Sequence, residues 1–145
     1  MSRIIKTFVV LFLIAFLGIQ FLEVDQTNPP VEADIEAPSN IKAIFKKSCY
    51  DCHSNETKWP WYSKVAPVSW MISDHVNKGR KQLNFSMWEK YYTADQRRLK
   101  EEILEEILNE NMPLKNYTFL HPNSILSIDK KNLIKDWAGT RSFVK

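Results

Sequence analysis

Two cysteines and a histidine fall within five residues of this chain, Cys49-Tyr50-Asp51-Cys52-His53, and no other short motif constrains the fold as strongly. Residues three and four apart share one face of a helical turn, so Cys49, Cys52 and His53 project to the same side. Two thiols beside an imidazole match the attachment signature of c-type haem: the thiols add to the vinyl groups and the imidazole reaches the iron. Two plainer chemistries fit less well. A thioredoxin-like pair would follow a strand within a βαβ pattern, and none is visible. A structural zinc site takes four protein ligands, whereas this spot supplies three and the chain has no second C-x-x-C.

At 145 residues the chain has room for one small domain and its appendages. Residues 1–22 are expected to form an N-terminal membrane anchor or signal segment. Ile4 to Leu22 is apolar except for Lys6, Thr7, Gly18 and Gln20, and a helix of that length reaches about the thickness of a bilayer's hydrocarbon layer. No A-x-A site follows it, which favours an uncleaved anchor over a removed signal peptide. Arg3 and Lys6 precede the run and acids follow it, so the positive-inside rule puts the remainder outside the cytoplasm. The expected location is the bacterial inner membrane, with the domain facing the periplasm.

Residues 23–38 hold five acids, no Lys or Arg, and Pro29, Pro30 and Pro38, the composition of an extended, solvated tether. A strand laid along the domain over Val31 to Ile35 is the alternative. Residues 39–145 remain for the domain. The whole chain has 20 basic and 17 acidic residues; without Arg3, Lys6 and the five tether acids the balance is 18 to 12, or +6. A basic face can steer a small carrier toward an acidic protein, and lysines also simply solvate a surface. Clustered arginines with a stacking platform are absent, so no nucleic-acid partner is expected.

The domain's periodicity is helical throughout. Ser39 and Asn40 can cap a helix through Ile41, Ile44 and Phe45 toward Cys49. A second helix is expected over Val68 to Gln82. In a third, Thr93 and Gln96 have capping-box spacing, and Leu99, Ile103, Leu104, Ile107 and Leu108 recur on one face. The last runs from near Ser127 to just before Gly139, with Leu133, Ile134 and Trp137 buried and Gly139 as C′ residue. The fold class is therefore all-α, a small cytochrome c-like helical domain with long loops around one haem, preceded by an N-terminal membrane helix. So small a domain has little core of its own. A haem would fill that gap among aromatic residues such as Trp59, Trp61, Trp70 and Trp88, which can equally be ordinary core.

His53 is the expected proximal ligand. Met71, Met87, Met112, His75 and His121 are candidates for the opposite face. Met112 is favoured because Pro113 disfavours helix at the residue before it, in a loop between two helices that can fold over the haem. Met71 suits helix packing, His75 lies within a helix and His121 precedes Pro122. Arg80 and Trp61 are candidate partners for the haem carboxylates, since a guanidinium fork and an indole N–H both donate to carboxylates.

The run Cys49 to Ser54, then Trp59-Pro60-Trp61-Tyr62-Ser63, Ala66-Pro67-Val68-Ser69-Trp70, Asp74-His75-Val76, Gly79-Arg80, Leu83-Asn84-Phe85-Ser86 with Trp88, Met112-Pro113, and His121-Pro122 with Leu126-Ser127 and Trp137 resembles the small haem-binding domain family of exported bacterial proteins. The likeness covers roughly Ile41 to Trp137. It implies a mono-haem, c-type cytochrome-like protein with Met112 in the distal place. One covalent haem c held by Cys49, Cys52, His53 and Met112 then implies a one-electron carrier working with redox partner proteins of unknown identity, and with the membrane through the N-terminal helix. A haem sensor or small peroxidase-like protein is the alternative if Met112 is off the iron. A thiol–disulfide or interaction domain without haem is a third. No paired carboxylates or nucleophile–base arrangement supports a hydrolase.

Overall fold

The computed structural model describes residues 2–139, and every regular element among them is helical. In chain order these are α1 (Arg3–Ile19), α2 (Ser39–Ser48), α3 (Tyr50–His53), α4 (Val68–Gln82), α5 (Thr93–Leu108), α6 (Lys115–Leu120) and α7 (Ile128–Gly139), with 3₁₀ turns at Trp61–Lys64, Phe85–Lys90 and Pro122–Ser124. The all-α expectation and the four domain helices agree with this order. Their caps do not. Pro38 precedes the first turn of α2 and its carbonyl takes the Lys42 N–H at 2.9 Å. Tyr92, not Thr93, is the N-cap of α5; the Gln96 amide instead reaches back to the Trp88 carbonyl at 3.1 Å. α7 runs through Gly139, and the last six residues of the expected domain, 140–145, lie outside the described part. Leu133 faces outward at 39% exposure, leaving Ile134 and Trp137 as the buried residues of α7.

One hydrophobic core joins α2, α5, α7 and the 85–90 turn. Its centre is aromatic. Phe45 stacks on Phe85 at 4.8 Å and meets the edge of Trp137 at 5.1 Å, while Tyr50 stacks on the other side of Phe85 at 5.2 Å. Offset and edge contacts at these separations are the favoured arrangements for aromatic rings. Trp88 belongs to this core; Trp59, Trp61 and Trp70 do not.

The N-terminal expectation is overturned. No helix among the described residues is long and apolar enough to cross a membrane. That removes the support for a membrane helix, and with it for the inner-membrane, periplasm-facing location. α1 stops after 17 residues, or about 25 Å at helical rise, short of the roughly 30 Å of a hydrocarbon layer. The apolar run was counted through Leu22, but Gln20 intervenes. Its amide accepts the Ala66 N–H at 2.9 Å and donates to the Ala66 carbonyl at 3.2 Å, and so ties the end of α1 to the domain.

Residues 25–36 are extended and run along the domain, largely exposed but anchored at Ile35. Ile35 is 1% exposed within the core. Its N–H bonds the Phe85 carbonyl at 3.0 Å, the Ala33 N–H bonds Ser86 at 2.9 Å, and the Glu89 N–H returns to Ala33 at 3.1 Å. Asp34 accepts the Tyr50 hydroxyl at 2.8 Å and pairs with Lys42 at 2.7 Å. A polar composition is compatible with this packing because the half-buried Asp34 carboxylate meets both a hydroxyl and an ammonium.

α5 ends in a paired-bond motif that delivers the Met112 loop. Glu110 N–H bonds Ile107, Asn111 N–H bonds Glu106 at 3.0 Å, and Glu110 has φ 58°. This is the Schellman pattern, in which glycine is the usual C′ residue because a Cβ is disfavoured there. Glu110 is exposed and its 3.6 Å contact with Lys131 is a surface pair worth little. Glu110→Gly is expected to raise the unfolding free energy by about 0.5–1 kcal/mol in urea titration; an unchanged or lower midpoint would contradict this account of the helix end.

Candidate functional site

α2 ends at Ser48, and Cys49 leaves helical geometry before α3 begins. The Cys49 carbonyl then accepts N–H bonds from Cys52 at 3.1 Å and His53 at 2.9 Å, so one turn gathers the Cys49, Cys52 and His53 side chains. Both cysteines are free thiols. α4 packs directly on this turn at Gly79, where a Cβ would sit 2.5 Å from the Cys52 carbonyl oxygen. The same contact orients His53. Its Nδ1 lies 3.0 Å from the Gly79 carbonyl and 3.2 Å from the Leu83 carbonyl. Carbonyls only accept, so Nδ1 carries the proton and Nε2 keeps its lone pair.

Burial holds the His53 pKa below its ordinary value, only partly opposed by the bonds to Leu83 and Gly79, so the ring is neutral near pH 7. A neutral imidazole with a tied Nδ1–H is the form that ligates a metal through Nε2. Burial also pushes the Cys49 thiol up to about 12 and Cys52 up to about 11. Both are thiols, not thiolates, at neutral pH.

Beside the turn lies a cleft of about 100 Å³, continuous with solvent. α4 contributes Val68, Met71, Ile72, His75 and Val76. Trp59, Pro60 and Tyr62 form a second wall, and Leu114, Tyr117, Leu120 and His121 a third; Asp51 and Cys52 come from the turn. Cys49 and His53 adjoin Cys52 without lining the cleft themselves. A polar chain closes the α6 side. Tyr117 donates to Asp51 at 2.8 Å, His121 Nδ1 donates to the Tyr117 carbonyl at 3.0 Å, and Tyr62 donates to His121 Nε2 at 3.1 Å. The Tyr117 hydroxyl is held far above its usual range by burial first and then by its bond to Asp51.

The other anticipated residues are placed less simply. Met112 is half-buried and held by its N–H bond to Glu106 at 3.1 Å, but the cleft is lined by Leu114, two residues on, rather than by Met112. Met71, His75 and His121 line it; Met87 does not. Arg80 is not free to receive a carboxylate. Its Nε donates to the Ser54 carbonyl at 2.8 Å, Nη1 to the Thr27 carbonyl at 2.9 Å, and Nη2 to Asn28 at 2.7 Å and Thr57 at 2.9 Å. Trp61 is 78% exposed and off the cleft wall, because the 3₁₀ turn that follows Pro60 points it outward. Trp59 takes the inner place instead, with its Nε1 buried and lacking an acceptor.

Two free thiols and an imidazole with an available Nε2, beside a small cleft walled largely by apolar side chains, are the donor set that a haem takes. The fold and site thus define a small all-helical haem protein. A family model described as a haem-binding domain matches residues 14–140, and the chain belongs to that family. No curated protein and no solved structure matches the chain.

Gly79 was visible in the sequence as the one glycine inside the α4 pattern, and a mid-helix glycine, unfavourable by about 1 kcal/mol relative to alanine, calls for a packing reason. Nothing in the residue pattern singled out Asp51, Tyr117 or the Leu83 carbonyl, because their roles arise from tertiary contacts and from backbone atoms.

Gly79→Ala is expected to destabilise the protein by about 1–3 kcal/mol despite better helix propensity, because backbone cannot give way as a flexible side chain can. Thermal unfolding checks this, and a rise in melting temperature would refute the close contact. The thiols also set an alkaline limit for the haem-free, reduced protein. Below pH 9 both are protonated whether the chain is folded or unfolded. Between pH 9 and about 12 the unfolded chain ionises while the folded chain resists, so stability falls as pH rises through that window. Urea midpoints at pH 8 and pH 10.5 should show the loss, and Cys49→Ser/Cys52→Ser should reduce it.

Proposed function

We propose that this chain carries one covalently attached haem and acts as a one-electron carrier between redox partner proteins. The observation that carries this reading is the His53 imidazole, neutral and fixed through Nδ1 on two carbonyls, in one turn with two free thiols. Cys49 and Cys52 each add S–H across a vinyl double bond, sulfur to one carbon and hydrogen to the other, with no leaving group and no net oxidation. His53 offers Nε2 to the iron, and Gly79 and Leu83 hold its ring against rotation. Met112 is the proposed opposite ligand, delivered by the end of α5. The bound group supplies an iron centre that changes oxidation state by one electron. The chain's part is to hold both faces of that centre and to exclude water with the α4 and α6 walls.

One observation favours a second reading, a haem sensor or small peroxidase-like protein: Met112 does not line the cleft. In that reading the sixth position is open or labile.

Expression in a host able to attach haem to C-x-x-C-H motifs separates these readings. The carrier reading expects haem stain that stays with the denatured polypeptide, a low-spin reduced spectrum and slow, partial carbon monoxide binding. Met112→Ala should then convert the spectrum to high-spin. Rapid, complete carbon monoxide binding by the unmutated protein would favour the sensor, and a colourless product with free thiols would sink both.

A further inference from the structure

We infer that α6 is the movable wall of the cleft, latched by Tyr117 on Asp51 and by Tyr62 on His121, and that it swings away from the Cys49–His53 turn to admit a haem to the thiols. The inference rests on the haem reading above. It begins from size. The cleft beside Cys52 holds about 100 Å³, whereas small-molecule and cofactor sites run to about 300–1,000 Å³. A macrocycle reaches this side of the turn only if a wall moves. Two of the three walls are fixed. α4 buries Ser69, Ser73, Val76 and Gly79, and Gly79 meets the Cys52 peptide with no room for a Cβ. The second wall is pinned at buried Thr57. Its Oγ1 donates to the Asp51 carbonyl at 2.8 Å and accepts from Arg80 Nη2 at 2.9 Å, and its carbonyl accepts from Asn28 Nδ2 at 2.9 Å.

The third wall is different. α6 has no buried residue. Among the described residues, the hydrogen bonds that tie 114–121 to the rest of the domain beyond its own flanks are the two tyrosine latches, Tyr117 to Asp51 at 2.8 Å and Tyr62 to His121 Nε2 at 3.1 Å. A segment with so little buried surface opens locally without unfolding the core. Its ends are anchored, by the Met112 N–H on Glu106 at 3.1 Å before it and by buried Ser124 after it. Residues 113–123 can therefore pivot between two fixed points. The latches also stand over the sulfurs. Burial, then the bond to Asp51, then the Cys52 and Cys49 sulfurs hold the Tyr117 hydroxyl above its usual range; burial, Asp51 and Cys52 do the same for Tyr62. Both hydroxyls thus lie within electrostatic reach of Cys52, and Tyr117 within reach of both thiols.

The test uses the full chain, haem-free and reduced, with Tyr117→Phe, Tyr62→Phe and Trp61→Phe made separately. Each latch variant removes a hydroxyl and keeps the ring. The readout is the rate at which a bulky maleimide, too large for the cleft, labels Cys52, resolved from Cys49 by peptide mass. Tyr62→Phe should label about threefold faster than the unmutated chain, and Tyr117→Phe about tenfold faster, since its lost bond is to a carboxylate. Trp61→Phe, which removes no latch, should change nothing. The gain should persist with little dependence on low urea, because local opening exposes little surface, whereas global unfolding depends steeply on urea. If Tyr117→Phe does not fold, Tyr62→Phe decides by the same readout. Unchanged Cys52 labelling in the folded latch variants, or a gain as steep in urea as global unfolding, would overturn the movable wall while the haem reading stands. Absence of haem from unmutated protein made in an attachment-competent host would overturn the haem reading and the role given to the wall, even with labelling as expected.

Discussion

The arrangement around the Cys49–His53 turn depends on one backbone contact. Gly79 lets α4 come to van der Waals distance of the Cys52 peptide, and that closeness places two carbonyls against His53. The geometry is economical with lone pairs. The Gly79 carbonyl accepts the Leu83 N–H at 2.9 Å as well as His53 Nδ1, while the Leu83 carbonyl is free because α4 ends there in extended backbone. The end of a helix, where carbonyls lack intrahelical partners, becomes the support for an imidazole. Moving α4 outward would release the ring, the cleft wall and the turn together.

A second set of contacts fixes that geometry from behind. Asn55, Asn84 and Ser86 form a buried circuit: Asn84 Nδ2 donates to Asn55 Oδ1 at 2.8 Å, the Asn55 N–H to Ser86 Oγ at 3.0 Å, and the Ser86 N–H to Asn84 Oδ1 at 3.0 Å. Asn55 also donates to the Pro30 carbonyl at 2.7 Å. Arg80 extends the circuit to Thr27 and Asn28. Satisfied polar groups in a low-dielectric interior are rigid and specific. Arg80 therefore acts through the backbone around the turn, with four of its five N–H groups bonded within the protein.

Much of this was legible in the residues. The motif, the all-helical class and the bounds of α4 follow from spacing and periodicity, and the haem-binding family agrees with the resemblance carried by the aromatic and Gly-Arg blocks. The shortfalls share a cause. Hydropathy carried the first helix through Leu22, but α1 stops at Ile19 and the Gln20 amide just past it pairs with Ala66. Composition made residues 23–38 a solvated linker, yet a single isoleucine with correctly placed carbonyl partners was enough to bury part of it. Trp61 and Trp59 are chemically equivalent in a list of residues, and only the direction of a 3₁₀ turn distinguishes them. Composition reports averages, whereas these outcomes turned on individual pairings.

The packed segment before α2 has a consequence for the order of events during synthesis. Its partners, Arg80 and residues 85–89, are made some fifty residues later than the stretch they hold. The cysteines emerge before them as well. A nascent chain thus displays both sulfurs and the imidazole on an unfinished scaffold, then closes around them once the second half appears. The turn is most accessible in that interval, and the final layer of backbone bonds closes over it.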